Sequence, residues 1–242
     1  MDVETYLKNR KKLQNEKPIY RELCTNCLQP QFGCYCAHVQ RFDSNIDFVV
    51  LIHPIEVKRR IATGRMASLT LENSQLIMGQ DYTNDDAVNA ILADPNRHPV
   101  ILYPGRLSKD ISPLSNEAKQ NLFPKGKRLT IFVIDGTWHT ARKTMYHSEN
   151  LKLVPRICFS PEKPSNFRVR KQPHPACVST IEAIHNTIEL IGETQGFDIS
   201  TREHDKLTYV FDKMVELQLH FISRSENNVR YRRRKEPATG TC

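Results

Sequence analysis

A run of apolar residues that turns abruptly into a polar, glycine-containing segment constrains the fold of this chain more than any other feature. The run, 129–134, carries no charge and is rich in β-branched and aromatic residues, which is typical of a strand buried on both faces of a parallel sheet. It leads directly into Asp135, Gly136, Thr137 and Trp138. Because α/β proteins bind ligands at the carboxyl ends of such strands, the sequence predicts a functional site at Asp135.

The residues after this strand predict the start of a helix. Thr137 is a suitable cap and leaves Trp138, the only tryptophan of the chain, in the first turn. Gly136 permits a turn or a close approach of the backbone to a ligand. A plainer interpretation makes Asp135 another helix cap and Trp138 a core anchor, and these four residues alone leave both open.

Short apolar runs alternate with amphipathic segments along the chain. We expect strands at 48–52, 100–103, 129–134 and 151–159, the last broken by Pro155, and helices near 56–71, 85–93, 114–122, 139–147, 180–191 and 203–222. Strands that alternate with helices indicate crossover connections. The expected fold class is therefore α/β, with a mostly parallel sheet and flanking helices.

Four of the seven cysteines lie within thirteen residues, at Cys24, Cys27, Cys34 and Cys36. Two close pairs on either side of a short segment with proline and glycine favour one tetrahedral zinc ion. Four thiolates fill the coordination shell of zinc, so such a site would stabilise the fold and would not activate water. A redox pair or four unrelated buried thiols are the alternatives.

The charge and the hydropathy of the chain indicate which partners and which cellular location to expect. The 242 residues include 35 Lys and Arg against 27 Asp and Glu, a net charge of +8, and a basic surface of this kind favours polyanions. No apolar stretch approaches the roughly 20 residues that span a bilayer, so no membrane association is expected. The N-terminus has no apolar signal-peptide core, which predicts a cytoplasmic location.

Polar motifs follow the predicted strands in a fixed order. They are His53-Pro54-Ile55-Glu56 with Thr63-Gly64-Arg65, then Tyr103-Pro104-Gly105, then Asp135-Gly136-Thr137-Trp138, and finally Ser179-Thr180-Ile181-Glu182-Ala183. With the four cysteines they resemble the DTW-domain family over residues 21 to 222. One departure is Ala62, where the family often has Asn before Thr-Gly-Arg. Taken alone, Ser179 or Thr180 with Glu182 would be a helix N-terminal cap.

The resemblance implies a fold and a domain organisation. Members of the family are tRNA-uridine aminocarboxypropyltransferases related to the SPOUT fold, in which a C-terminal trefoil knot surrounds S-adenosylmethionine. We expect an N-terminal arm and zinc knuckle at 1–44, a SPOUT-like catalytic domain at 45–223, and a basic tail at 224–242.

The resemblance also implies a reaction. N3 of a uridine attacks the γ-carbon of the methionine part of S-adenosylmethionine, and methylthioadenosine leaves. Removal of the N3 proton calls for a general base within hydrogen-bond reach. Asp135 is the first candidate, because partial burial at a strand end raises the pKa of a carboxyl group, and Glu182 is the second.

Binding roles follow from residue type within the implied fold. Backbone groups and apolar walls of the knot would hold the cofactor, which indicates Leu102, Pro104, Gly136, Trp138, Ser179 and Thr180. Arg65 could pair with the methionine carboxylate or with a tRNA phosphate. The expected contacts to RNA phosphates are Lys58, Arg59, Arg142, Lys143, Arg168, Arg170, Lys171, Arg230, Arg232, Arg233 and Arg234, and each of these could instead be a solvated surface charge.

Two other functions remain compatible with the sequence. An RNA methyltransferase of the same fold would differ only in the carbon of the sulfonium that is attacked. A noncatalytic, zinc-stabilised RNA-binding protein would not need an aspartate and a tryptophan at a strand end. In every case RNA is the expected partner, tRNA in the favoured one, and no obligate protein partner is evident.

The basic run 230–235 generates a first prediction. Removing residues 224–242 should raise the Michaelis constant for tRNA and leave the saturated rate nearly intact, because five of the six residues in the run are cationic. The salt dependence of binding should fall by about one unit of slope for each phosphate that the tail no longer neutralises. Removal of 236–242 alone, which carries no Lys or Arg, is the matched control. An unchanged salt slope after the longer truncation would make the tail a solvated appendage.

Overall fold

The computed structural model describes residues 4–5, 22–57, 61–170, 174 and 176–224. A six-stranded sheet forms its centre. The strands are β1 (Asp47–Ile52), β2 (Ser74–Met78), β3 (Arg97–Leu102), β4 (Ser108–Asp110), β5 (Arg128–Asp135) and β6 (Arg156–Cys158). Their order is β2-β1-β5-β3-β6-β4, and every pairing is parallel.

Helices cover both faces of the sheet. They are α1 (Pro54–Val57), α2 (Thr63–Thr70), α3 (Asp86–Ala93), α4 (Asn116–Leu122), α5 (Trp138–His147), α6 (Glu149–Lys152), α7 (Thr180–Ile191) and α8 (Asp205–Arg224). Short 3-10 turns occur at Gln31–Gly33, Cys36–His38, Gly192–Gln195 and Ile199–Thr201. No helix among these described residues is long and apolar enough to cross a membrane.

Alternate residues of the central strands enter two separate cores. Phe48 and Val50 of β1 pack with the apolar side chains of α2, α7 and α8, whereas Val49 and Leu51 face α3 and α5 on the opposite side. This is the two-residue period of a strand whose faces are both covered. It explains why β1 and β5 appear in the sequence as continuous apolar runs.

The cysteine module, residues 24–36, is part of the larger core. Cys27 and Tyr35 are each 2% exposed and belong to the same apolar cluster as α7 and α8. Phe32 also packs edge-on against Phe221 of α8, with ring centroids 5.1 Å apart. The module therefore packs against the helical layer that covers one face of the sheet and stabilises it.

The connection between β3 and β4 crosses another strand. β6 lies between β3 and β4, and Arg156 is in register with both Ile101 and Ser108. β3 and β4 run in the same direction, yet only residues 103–107 separate them. That short segment must therefore pass over β6, next to the carboxyl end of the sheet.

The structure confirms the α/β fold class and most predicted elements. The predicted helix near 56–71 is wrong in its extent, since Ala62 is extended and separates two helices. The predicted strand 151–159 forms only over Arg156–Cys158, because its beginning is the short helix α6. β2 and β4 were not predicted from the sequence, since these edge strands are short and only partly buried.

Candidate active site

A cleft of about 730 Å³ opens beside the carboxyl ends of β3 and β5. Its walls come from the ends of these strands, the beginnings of α5 and α7, the segment 158–161 and the segment that leads into α7. A volume of this size falls within the range of small-molecule sites, roughly 300 to 1,000 Å³. The cleft is therefore large enough for a nucleoside-sized ligand.

An aromatic pair forms one wall of the cleft. The rings of Tyr103 and Trp138 meet edge to face with centroids 6.5 Å apart, and both residues line the cavity. Trp138 Nε1 donates a hydrogen bond to Cys177 Sγ at 3.2 Å. With 41% of its surface exposed, Trp138 is not a core anchor, and its indole is available to a ligand.

The first turns of two helices point at the cleft. The Thr137 side chain caps α5, as predicted, by accepting a hydrogen bond from the Thr140 amide at 3.2 Å. A Cβ at position 136 would lie 2.5 Å from Thr140 Oγ1, so any residue other than glycine would force that hydroxyl to move. The second helix, α7, starts at Thr180. Both N-termini carry partial positive charge and favour a negatively charged ligand group.

Asp135 lies directly behind the cleft wall and is 5% exposed. Its Oδ1 accepts a 2.5 Å hydrogen bond from the hydroxyl of Thr180, which does line the cleft. Its Oδ2 accepts no hydrogen bond of good geometry among the described residues. The backbone of Gly64 packs against this oxygen so closely that a Cβ on Gly64 would lie 2.7 Å from it.

Burial raises the pKa of the Asp135 carboxyl to about 6, against the opposing effect of the Thr180 hydroxyl. The buried Glu56 carboxylate raises this pKa further, whereas the Gly64 amide and the Arg170 guanidinium lower it. The carboxyl group is therefore ionised at neutral pH but can take up a proton readily. These are the properties of a general base poised near physiological pH.

Glu182, the second candidate base, is fully engaged by hydrogen bonds. Its Oε2 accepts from the Ser179 amide at 2.8 Å, as in a capping box in which the Glu182 amide faces the Ser179 side chain, and it also accepts from the Ser179 hydroxyl at 2.6 Å. Oε2 also accepts from the Ser165 hydroxyl, and Oε1 accepts from the Asn166 amide. This geometry favours a structural role, in which Glu182 fastens the loop at 165–166 to the start of α7.

The structure brings most of the predicted cofactor-binding residues together. Leu102, Pro104, Gly136, Trp138, Ser179 and Thr180 all line the cleft. Arg65 is not among the lining residues, and it lies close enough to Tyr35 of the cysteine module to oppose the burial that raises the pKa of that phenol.

Sequence reasoning did not single out several lining residues, namely Tyr103 as a ligand contact, His139, Phe159, His174 and Cys177. Tyr103 stands at a strand end, where the rule that located Asp135 could have found it. His174 and Cys177 belong to a connection without periodicity, so no pattern in the sequence marks them.

The predicted RNA contacts that the structure describes are all solvent-exposed. They are Arg142, Lys143, Arg168 and Arg170, of which Arg170 lines the cleft. Arg142 lies near enough to Tyr103 to lower the pKa of that phenol, whose net shift is upward because of burial. The remaining predicted contacts, Lys58, Arg59, Lys171, Arg230, Arg232, Arg233 and Arg234, lie outside the described residues.

The four clustered cysteines have the geometry of a tetrahedral metal site. Their sulfur atoms all lie within 4.8 Å of one another, and Cys24 with Cys36 and Cys27 with Cys34 are 3.7 and 3.6 Å apart. Tetrahedral zinc with bonds of about 2.3 Å requires sulfur separations of about 3.8 Å. The backbone amides of Cys27 and Asn26 lower the pKa of the Cys24 thiol to about 6. The residues therefore fit a zinc ion.

A second group of possible metal ligands, His185, His204 and Asp205, already contains a carboxylate that is paired with an arginine. His185 of α7 lies 2.8 Å from Asp205 Oδ1 of α8, and the His204 imidazole contacts Glu189. Arg202 donates two hydrogen bonds to each of these carboxylates, at 2.8 to 2.9 Å. The group forms an ion-pair network that joins α7 to the start of α8.

Comparisons with known proteins place the chain beside RNA-modifying enzymes. A family model described as the DTW domain matches residues 21–219. A tRNA-uridine aminocarboxypropyltransferase 2 of Drosophila melanogaster is 26% identical over 69% of this chain and 65% of its own length, and one of Mus musculus is 25% identical over 67% and 54%. A tRNA-uridine aminocarboxypropyltransferase A of Arabidopsis thaliana is 26% identical over 84% and 83%. The chain thus spans about half to two thirds of the first two relatives. No solved structure matches it.

The packing of Gly64 against Asp135 generates a second prediction. At an open position inside a helix, replacing Gly by Ala stabilises a protein by about 1 kcal/mol. Gly64→Ala should instead lower the free energy of unfolding by about 1 to 3 kcal/mol, because the new Cβ would lie 2.6 Å from Asp135 Cγ. Urea unfolding measures the difference. Gly105→Ala is the control, since its nearest neighbour would be 3.8 Å away. A stabilised Gly64→Ala variant would contradict this packing.

Proposed function

Because the chain belongs to the DTW-domain family, we propose that it transfers the 3-amino-3-carboxypropyl group of S-adenosylmethionine to N3 of a tRNA uridine. The relatives whose names give this activity support the proposal. The observation that carries it is a buried carboxylate, Asp135, of raised pKa immediately behind a nucleoside-sized cleft. A protein that only bound RNA would gain nothing from this costly arrangement.

Positioning supplies much of the catalysis in this proposal. The bound donor provides an activated γ-carbon next to its sulfonium, but it carries two other activated carbons as well. The protein must therefore hold the γ-carbon in line with the uridine N3. Holding reactants in such a geometry can supply on the order of 7 to 11 kcal/mol of the barrier.

The cleft offers suitable groups for the donor. The Tyr103 and Trp138 rings and the apolar side chains of Leu102 and Pro104 form walls for an adenosine moiety. The beginnings of α5 and α7 provide backbone dipoles for the methionine carboxylate. Arg65 stays a proposed ligand of a tRNA phosphate, because it does not line the cleft.

Exposed cations, one of which lines the cleft, fit a polyanionic substrate. Arg170 lines the cavity, and Arg142, Lys143 and Arg168 are exposed. Guanidinium groups at a cleft mouth would hold phosphates on each side of the target nucleotide while the base enters. Such contacts provide affinity and register without reading the sequence of the RNA.

The proposal extends to zinc, domain organisation and location. Zinc held by the four clustered cysteines would keep the module folded against α8 and supply no chemistry in the cleft.

The crossing of residues 103–107 over β6 supports a C-terminal trefoil knot within a catalytic domain at 45–223. None of the six described cysteines forms a disulfide bond, which fits the reducing cytoplasm.

Product analysis tests the function. The protein, S-adenosylmethionine and unmodified tRNA should yield methylthioadenosine and a tRNA uridine enlarged by the aminocarboxypropyl group. Release of S-adenosylhomocysteine would indicate a methyltransferase instead. Neither product, with RNA binding intact, would indicate a noncatalytic RNA-binding protein.

The role of Asp135 generates a third prediction. Asp135→Asn keeps the shape of the side chain and removes its basicity, so the single-turnover rate should fall by about 100- to 10,000-fold while donor and tRNA still bind. A cap would predict near-normal turnover, because Asn caps helices about as well as Asp. Normal chemistry with weakened donor affinity would make Asp135 a binding residue.

The free energy of unfolding of the Asp135→Asn variant, measured at two pH values, tests the burial of the Asp135 charge. Burial raises the folded-state pKa of Asp135 to about 6 from 3.8, so its charge costs stability above pH 6, and this cost shrinks as pH falls from 6 towards 3.8. Asp135→Asn should therefore raise the free energy of unfolding at pH 8 more than at pH 5. Urea unfolding at both values measures this, and an equal effect at the two would contradict the burial of a charge.

The cysteine cluster generates a fourth prediction. The wild-type protein should contain about one zinc per chain, and Cys27→Ser should lower both its zinc content and its melting temperature, because zinc binding contributes to folding. Cys158→Ser is the control, since Cys158 lies outside the cluster. Active wild-type protein with free thiols and no metal would exclude the zinc site.

A further inference from the structure

The Asp135 carboxylate reaches the cleft only through another side chain. Thr63, Gly136 and Thr180 line the cavity around it, but Asp135 itself does not. The Gly64 backbone covers the side of the carboxylate that carries Oδ2. The other oxygen, Oδ1, faces the Thr180 hydroxyl at 2.5 Å. A nucleobase that contacted the Asp135 carboxylate directly would have to displace either α2 or α7.

The Thr180 hydroxyl is not needed to cap α7, because neighbouring residues do so, and it can therefore interact with a ligand in the cleft. The capping box of α7 is made by Ser179 and Glu182, so the Thr180 hydroxyl takes no part in capping. Its single proton is donated to Asp135 Oδ1. An ionised carboxylate carries no proton, so Oδ1 can act only as the acceptor in this bond. Among the described residues the Thr180 oxygen forms no other hydrogen bond, so its lone pairs are left for a donor in the cleft.

We propose that Thr180 is the group that touches the target base, accepting the N3–H of uridine and relaying that proton to Asp135. The proposal rests on the aminocarboxypropyl transfer proposed above. It assigns Thr180 a catalytic role and makes Asp135 the final proton acceptor.

The transfer is balanced without any further reactant. The N3 proton moves to Thr180 Oγ1 as the Thr180 proton moves to Asp135 Oδ1, which leaves a neutral carboxylic acid. The N3 lone pair forms a bond to the γ-carbon, and the carbon–sulfur bond breaks with its electron pair on sulfur. The positive charge of the sulfonium disappears in this step, methylthioadenosine leaves, and the acid later returns its proton to solvent.

The direction of the hydrogen bond also gives the site a preference among bases. Thr180 presents an acceptor as long as its proton is held by Asp135. Uridine N3 carries a hydrogen and can donate to it, whereas cytidine N3 is an acceptor and would face lone pair against lone pair. A site built to hydrogen-bond one partner discriminates strongly against an analogue that leaves its polar group unpaired.

The competing assignment for the same acceptor is the ammonium group of the methionine moiety. That group is also a donor, and Thr180 would then bind the cofactor without taking part in proton transfer. The two roles differ in the effect of removing the hydroxyl. The relay predicts a slower rate at saturation, whereas ammonium binding predicts a weaker donor affinity.

Three variants test the relay. Thr180→Val removes the hydroxyl at nearly constant shape, Thr180→Ser retains it, and Thr187→Val is the control. Thr187 lies on the same helix, is fully buried, and donates to the Ala183 carbonyl at 2.8 Å, away from the cleft. Single-turnover rates are measured with saturating tRNA and donor, together with equilibrium donor affinity.

Thr180→Val should lower the single-turnover rate by about 100- to 10,000-fold, with donor affinity within about threefold of wild type. Thr180→Ser should stay within about tenfold of wild type, and Thr187→Val should match it. Thr180→Val should also abolish the preference of the wild type for binding RNA with uridine over RNA with cytidine at the target position, which a purely structural threonine would not affect.

Three outcomes would overturn the relay. A Thr180→Val variant that turns over like wild type excludes it, and so does one that binds the donor weakly but reaches the normal rate at saturation. In both cases wild-type release of methylthioadenosine keeps the proposed function intact. Wild-type protein that releases no methylthioadenosine overturns the function and the relay together.

Discussion

The buried carboxylate of Asp135 is the constraint around which the site is organised. Its backbone carbonyl accepts a hydrogen bond from the His53 amide, so it also holds the end of β1 against the end of β5. Its side chain meets Thr180 of α7 on one side and Gly64 of α2 on the other. The shift of its pKa from 3.8 to about 6 corresponds to a cost of about 3 kcal/mol at neutral pH. The remaining fold must supply that free energy.

The helices around this carboxylate are held by contacts outside the cleft. α2, α7 and α8 pack together over one face of the sheet, and the cysteine module packs on the same core. The network of Arg202 with Glu189 and Asp205 joins α7 to α8. Glu182 ties the start of α7 to the loop at 165–166. Thr180 is therefore fixed by interactions that leave its own hydroxyl free for Asp135.

Helix capping and the hydrogen bond to the buried carboxylate are divided among neighbouring residues. Thr137 and Ser179 with Glu182 provide the helix caps, and so Asp135 and Thr180 need not. This division explains how one short stretch can satisfy the backbone groups of a helix start and still present an unused acceptor to a ligand. It also explains why the pattern Ser-Thr-x-Glu permits a structural and a functional interpretation at the same time.

The sequence by itself determined the layout of the protein. The apolar run of β5, its ending at Asp135, the caps at Thr137 and Ser179, and the four clustered cysteines are local patterns, and the structure confirms the strand, the helix starts and the convergence of the thiols. The short edge strands β2 and β4 and the break at Ala62 carry no such pattern. Only the tertiary structure decided that the Thr180 hydroxyl donates to Asp135, that Arg65 does not line the cleft, and that the Trp138 indole donates to Cys177. These contacts join residues far apart in the chain, and local periodicity holds no information about such distances.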